Sequence, residues 1–229
     1  MNLIKKPGLS PHESEESQRE DCFLCRPSAQ LLAHIGKECY MMAGLGPLCD
    51  CYALVATYQH GPMLAPDNPM ALGTIAEYSE ITQRILGDTF GSCVLAEHGK
   101  MPVCNPNRPT GSHCFHPHFL FFPGVPDPLP EFEDYFQSKG SRFKSLTDAL
   151  LHAATLPSYF LGSSQPGQYS VFTTENCLPR QFARMVIADS VGHPDLASWQ
   201  THPNVEWTTR NAKELRRLLT SNELSRKLQ

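Results

Sequence analysis

The apolar positions fall into short runs separated by turn residues. Residues 38–43 (ECYMMA) predict a strand, which Gly44, Gly46 and Pro47 break. Residues 51–57 (CYALVAT) are rich in strand formers and stop at the turn residues around His60, Gly61 and Pro62. Asn68 and Pro69 then open a helix whose stripe is Leu72, Ile75, Ile81, Ile85 and Leu86, with Gly87 and Gly91 closing it. Residues 92–97 read as another strand, followed by a loop of Gly, Pro, Asn and Thr over 98–112. The segment 116–123 (HPHFLFFP) comes next, and Pro117 places it at a sheet edge or at a strand entry. Beyond it, residues 131–153 carry helical signal, 169–172 a short strand, and 179–191 a helix that starts at a proline. Asn211 with Glu214 three residues on predicts the cap of a terminal basic helix.

Composition narrows the class. The 229 residues hold 19 Lys and Arg against 23 Asp and Glu, a net charge of −4. That balance argues against nucleic acid or an anionic membrane as partner, since both need a basic excess. Charged residues make up 18% and apolar ones 41%, which is globular rather than disordered. No run approaches the ~20 apolar residues of a membrane helix. Residues 1–20 are polar and acidic, a flexible leader without the apolar core of a secretory signal, so a cytoplasmic location is expected.

Nine cysteines without an export signal argue against a disulfide framework, and most read as reduced, buried residues. Cys22 and Cys25 differ, because two thiolates separated by two residues can bite one metal; the alternative is a pair of buried thiols. In an extended segment His116, His118 and Leu120 share one face, and imidazoles two residues apart stand ~7 Å from each other. That spacing suits two neighbouring tasks better than one shared metal. The alternative is two half-buried polar residues beside a sheet.

Four blocks in order resemble the histidine triad superfamily, in particular its zinc-bearing members and the related hexose-phosphate uridylyltransferases. They are Cys22-Phe23-Leu24-Cys25, the strand ending in His60, Glu97-His98-Gly99, and His116-Pro117-His118 closed by Phe122-Pro123. The resemblance spans about residues 20–125. It implies an α+β fold, an antiparallel sheet with helices on one side, and a homodimer. It also implies a structural zinc held by Cys22, Cys25, His60 and His116, with His118 as the nucleophile. His118 would attack the α-phosphorus of a nucleotide or nucleotide conjugate, with a neighbouring backbone carbonyl fixing its tautomer. Imidazole suits this role, being neutral and nucleophilic near pH 7 and a good leaving group from phosphorus once protonated.

The chain departs from the pattern at Leu120, which stands where the family has its third His or a Gln. Leucine donates no hydrogen bond to a transferring phosphate, and one lost donor typically costs ~10²–10³ in rate. Two readings stay open: a nucleotidyl hydrolase or transferase, and a degenerate nucleotide-binding module without turnover. Substitute donors to the phosphate are His98, Ser112 and His113. Gln181 and Arg184, three apart on the predicted C-terminal helix, are further candidates, unless that face is merely solvated. Three segments result: a leader over 1–20, a nucleotide-binding unit over 21–125, and a C-terminal α/β extension over 126–229.

Overall fold

The computed structural model describes residues 22–61, 64, 69–99, 101–104 and 116–221. The leader and the candidates Ser112 and His113 lie outside the described residues. Among the described residues the fold is α+β: one eight-stranded antiparallel sheet with five α-helices packed on it.

In chain order the elements are β1 (Leu32–Ile35), β2 (Cys39–Ala43), β3 (Ala53–Thr57), α1 (Pro69–Phe90), β4 (Cys93–Glu97) and β5 (His118–Pro123). Then follow α2 (Leu129–Phe136), β6 (Ser141–Phe143), α3 (Leu146–Ala154), β7 (Phe160–Gln165), β8 (Gln168–Phe172), α4 (Phe182–Ser190), a 3-10 turn (Pro194–Ala197) and α5 (Val205–Ser221). The sheet order is β1-β2-β3-β5-β4-β7-β8-β6. Strands from beyond residue 125 therefore extend the same sheet, with β7 paired directly to β4 through Leu95↔Ser163 and Ala96↔Gly162.

Strand alternation sorts the core. Met41, Val55, Leu95, Phe119, Phe121, Leu161 and Val171 share one face with Leu72 and Ile75 of α1, Leu150 of α3 and Leu215 of α5. Tyr40, Met42, Leu54, Val94 and Phe122 point the other way, where α4 packs with Ile187 and Ala188. Phe132 and Phe136 of α2 cover that second face further along, against Phe160 and Phe172. Helices thus cover both faces, contrary to the expectation of one. The physical reason is that β2, β3 and β4 are buried at every position, so neither face can be left to water.

The structure bears on three other expectations. Of the two positions that Pro117 allows, the strand entry is the one found, and β5 itself lies between β3 and β4 in the middle of the sheet. Pro117 is tolerated because it precedes the strand, where its missing N–H costs no ladder bond while its carbonyl accepts from Thr57 N–H at 3.3 Å. The terminal helix begins at Val205, not at Asn211, which is buried inside it and donates to the Cys49 carbonyl at 3.3 Å. One pair of cysteines departs from the reduced state: Cys104 and Cys177 form a disulfide. A parallel bridge between Val103 and Leu178 brings them together, with the Cys104 and Leu178 amides donating across it at 2.8 and 2.7 Å.

Arg184 also overturns its surface alternative. α4 starts at Phe182, with Gln181 before it in the left-handed region (φ 59°), so the two candidates do not share a solvated helical face. Arg184 is 3% exposed. Its Nε donates to the Ala197 carbonyl at 2.8 Å, and its Nη2 donates to those of Gly46 at 2.7 Å and Leu196 at 3.0 Å. The guanidinium thus ties α4 to two distant loops. Arg184→Met strips the donor from these three carbonyls and is expected to cost about 2–4 kcal/mol, read as a lower urea midpoint. An unchanged midpoint would contradict this role.

No helix among the described residues is long and apolar enough to cross a membrane.

Candidate metal centre and adjoining cavity

The Cys-x-x-Cys segment makes a tight turn in which Cys25 N–H donates to the Cys22 carbonyl at 3.1 Å. Tyr40 of β2 anchors this turn by donating its hydroxyl to the Leu24 carbonyl. His60 arrives from just beyond β3 and His116 from just before β5, two segments that antiparallel pairing makes neighbours. One ligand atom from each of Cys22, Cys25, His60 and His116 lies within 4.8 Å of the others, so the four can hold one metal ion. The Nδ1–Sγ separations are 3.4 Å for His60 with Cys25, 3.4 Å for His116 with Cys25 and 3.6 Å for His116 with Cys22. The two imidazoles stand edge to face, ring centroids 5.4 Å apart.

Tautomers follow from the partners. His116 Nε2 lies 2.8 Å from the Thr57 carbonyl, which can only accept, so Nε2 carries the proton and Nδ1 offers its lone pair to the cluster. Burial pushes the His116 imidazolium down to about 4, partly opposed by the Thr57 carbonyl and assisted by His118 and His60. The ring is therefore neutral near pH 7, as a ligand must be.

His118 uses its ring the opposite way. Its Nδ1–H donates to the His116 carbonyl at 2.7 Å, which leaves Nε2 unprotonated. Burial lowers its pKa, with the His116 carbonyl opposing. The expected tautomer-fixing carbonyl is thus present and belongs to a residue of the metal cluster.

His118 lines a cavity of about 210 Å³, several times the ~30 Å³ share of one water. Among its other walls are Tyr52 and Leu54 at β3, Leu120 of β5, and Gln181, Phe182, Ala183 and Arg184 at the start of α4. Phe23 and Trp199 meet in its wall with ring centroids 5.6 Å apart. Tyr52 stacks on Phe122 at 4.8 Å and lies under the Arg184 guanidinium, 5.2 Å from ring centroid to Cζ.

Of the residues singled out from sequence, the structure brings Cys22, Cys25, His60 and His116 into one cluster. It places His98, His118, Gln181 and Arg184 around the adjoining cavity. Gln181 accepts from Trp199 N–H at 3.3 Å and so joins the 3-10 region to α4.

In the sequence Glu97 stands out only as part of a strand-end block. Its carboxylate is buried and accepts from the Tyr159 hydroxyl at 2.8 and 2.7 Å and from Leu64 N–H at 3.1 Å. No local pattern could have joined it to Tyr159, sixty-two positions away. Gly99 makes the approach possible: its φ is +41°, and a Cβ there would meet the Tyr159 carbonyl at 2.3 Å.

Burial raises the Glu97 pKa from 4.5 to about 7, with Tyr159 and Leu64 pulling it back. The folded state therefore holds a proton that the unfolded chain gives up at lower pH. This contribution to stability is fully present below pH 4.5 and is lost as the pH rises through about 7. Glu97→Gln is expected to flatten that part of the stability profile, measured by urea unfolding at several pH values; an unchanged profile would contradict it.

No family model matches the chain, and comparison with curated proteins finds no match.

Proposed function

We propose that this chain is a nucleotidyl hydrolase or nucleotidyltransferase of the histidine triad type, with His118 as its nucleophile. The supporting observation is the 2.7 Å bond from His118 Nδ1–H to the His116 carbonyl, which presents a neutral ring with its Nε2 lone pair in a cavity wall. In the first step that lone pair forms an N–P bond to the α-phosphorus of a nucleotide. The bond from phosphorus to the leaving group breaks, and its electron pair departs with the leaving group. In the second step water or another acceptor attacks the same phosphorus. The N–P bond breaks, its pair returns to Nε2, and the acceptor's proton passes to solvent.

We assign zinc to the cluster. A tetrahedral ion with Zn–S of about 2.3 Å and Zn–N of about 2.0–2.1 Å separates S from N by about 3.5 Å. The three Nδ1–Sγ separations, 3.4, 3.4 and 3.6 Å, are close to that value. Two thiolates and two imidazoles fill all four positions, which makes the site structural. When bound, the ion pins the Cys22 turn to the strand that carries His118.

Leu120 favours a second reading, a nucleotide-binding module without turnover. Reaction in ¹⁸O-water with a panel of nucleoside diphosphates, dinucleotides and nucleoside phosphoramidates separates the two. Label in the phosphate of a released nucleoside monophosphate is the expected result. Saturable binding with no product from any of them would overturn the enzyme reading in favour of the second.

A further inference from the structure

The first turn of α4 occupies the space over the residue that departs from the family pattern. Leu120 packs against the cluster that contains Phe182 and Ala183. Phe182, Ala183 and Arg184 line the same cavity as His118. A His or Gln at 120 would place a polar group against this apolar packing, so the leucine and the helix belong together.

The turn carries unused donors. The first intrahelical bond of α4 runs from Met185 N–H to the Gln181 carbonyl at 3.0 Å, so the amides of Phe182, Ala183 and Arg184 precede any helical acceptor. The Gln181 side chain does not cap them. Aligned peptide dipoles make such an end attractive to an anion.

An independent observation points the same way. The Arg184 side chain, 3% exposed, commits Nε and Nη2 to three carbonyls, while Nη1 is buried with no hydrogen-bond partner. A locked guanidinium with one nitrogen to spare is a pre-organised anion ligand. The Glu97 carboxylate is engaged by Tyr159 and Leu64 rather than by this cation.

We infer that the first turn of α4 is a fixed oxyanion cradle for the phosphate group of the substrate. The Ala183 and Arg184 amides and Arg184 Nη1 give the hydrogen bonds that Leu120 cannot. This rests on the reading of His118 as the group that meets phosphorus. The ligand class is a phosphate ester held through its non-bridging oxygens, and the donors act through backbone and a buried side chain instead of a third imidazole.

The test is an NMR titration of the ¹⁵N-labelled full chain with inorganic phosphate, then adenosine 5′-monophosphate, with uncharged adenosine as control. Saturable shifts at the Ala183 and Arg184 amides and the Arg184 guanidinium are expected with both phosphate probes and absent with adenosine. Ala183→Pro removes one donor at a first-turn position that tolerates proline, and should weaken phosphate binding roughly tenfold. Shifts confined to other residues, or no saturable phosphate binding by the wild type, would overturn the cradle whether or not the variant folds. Nucleotidyl transfer without these shifts also overturns it. The shifts in a chain that transfers no nucleotidyl group leave the cradle standing and overturn the catalytic reading instead.

Discussion

Removing the metal from the Cys22, Cys25, His60 and His116 cluster with a strong chelator is expected to lower the melting temperature by about 10 °C. An ion present at a thousand times its dissociation constant stabilises by about 4 kcal/mol, and each kcal/mol moves a domain of this size by about 2–4 °C. The ion would add to an internal amide bond, the Tyr40 hydroxyl on the Leu24 carbonyl and the packing of Phe23 on Trp199, which hold the Cys22 turn. Cys25→Ser should reproduce the loss and make the protein insensitive to further chelation. The variant should also lose activity, because a loosened His116 no longer aims its carbonyl at His118 Nδ1–H. Metal analysis should find one zinc per chain. A melting temperature that neither chelator nor Cys25→Ser changes would contradict the metal assignment.

The second large effect is expected at His118 itself. His118→Ala removes the proposed nucleophile, and turnover of any active nucleotide substrate should fall by about 10⁴-fold or more. Stability should change far less, since among the described residues the ring's hydrogen bond is to the carbonyl only two residues away. Comparing steady-state rates with thermal melts of the same preparations checks both halves. Retained turnover in a folded His118→Ala protein would assign the chemistry elsewhere.

The local elements were legible because their signals are local. The stripe of Leu72, Ile75, Ile81, Ile85 and Leu86 became α1, and the runs at 38–43, 51–57 and 92–97 became β2, β3 and β4. Cys22 and Cys25 could be paired by their spacing, whereas joining them to His60 and His116 required the family resemblance. The structure brings the four together because β3 and β5 pair. The rest depends on contacts without periodicity. Arg184 reads as an exposed helical residue until the Gly46 carbonyl, 138 positions away, is seen to accept from it. The Glu97–Tyr159 pair and the Cys104–Cys177 disulfide likewise join segments that no short pattern links. α5 starts six residues before Asn211, because a residue that looks like a cap can serve equally as a buried donor to a loop carbonyl.

The most direct test of His118 as a covalent nucleophile is intact-protein mass spectrometry after rapid mixing with the same nucleotide panel, with wild type and His118→Ala side by side. An acid-labile gain of one nucleoside monophosphate unit on wild type, mapped to His118 and absent from the variant, is the expected result. Product formation with no adduct at any quench time, or an adduct that persists in His118→Ala, would contradict it.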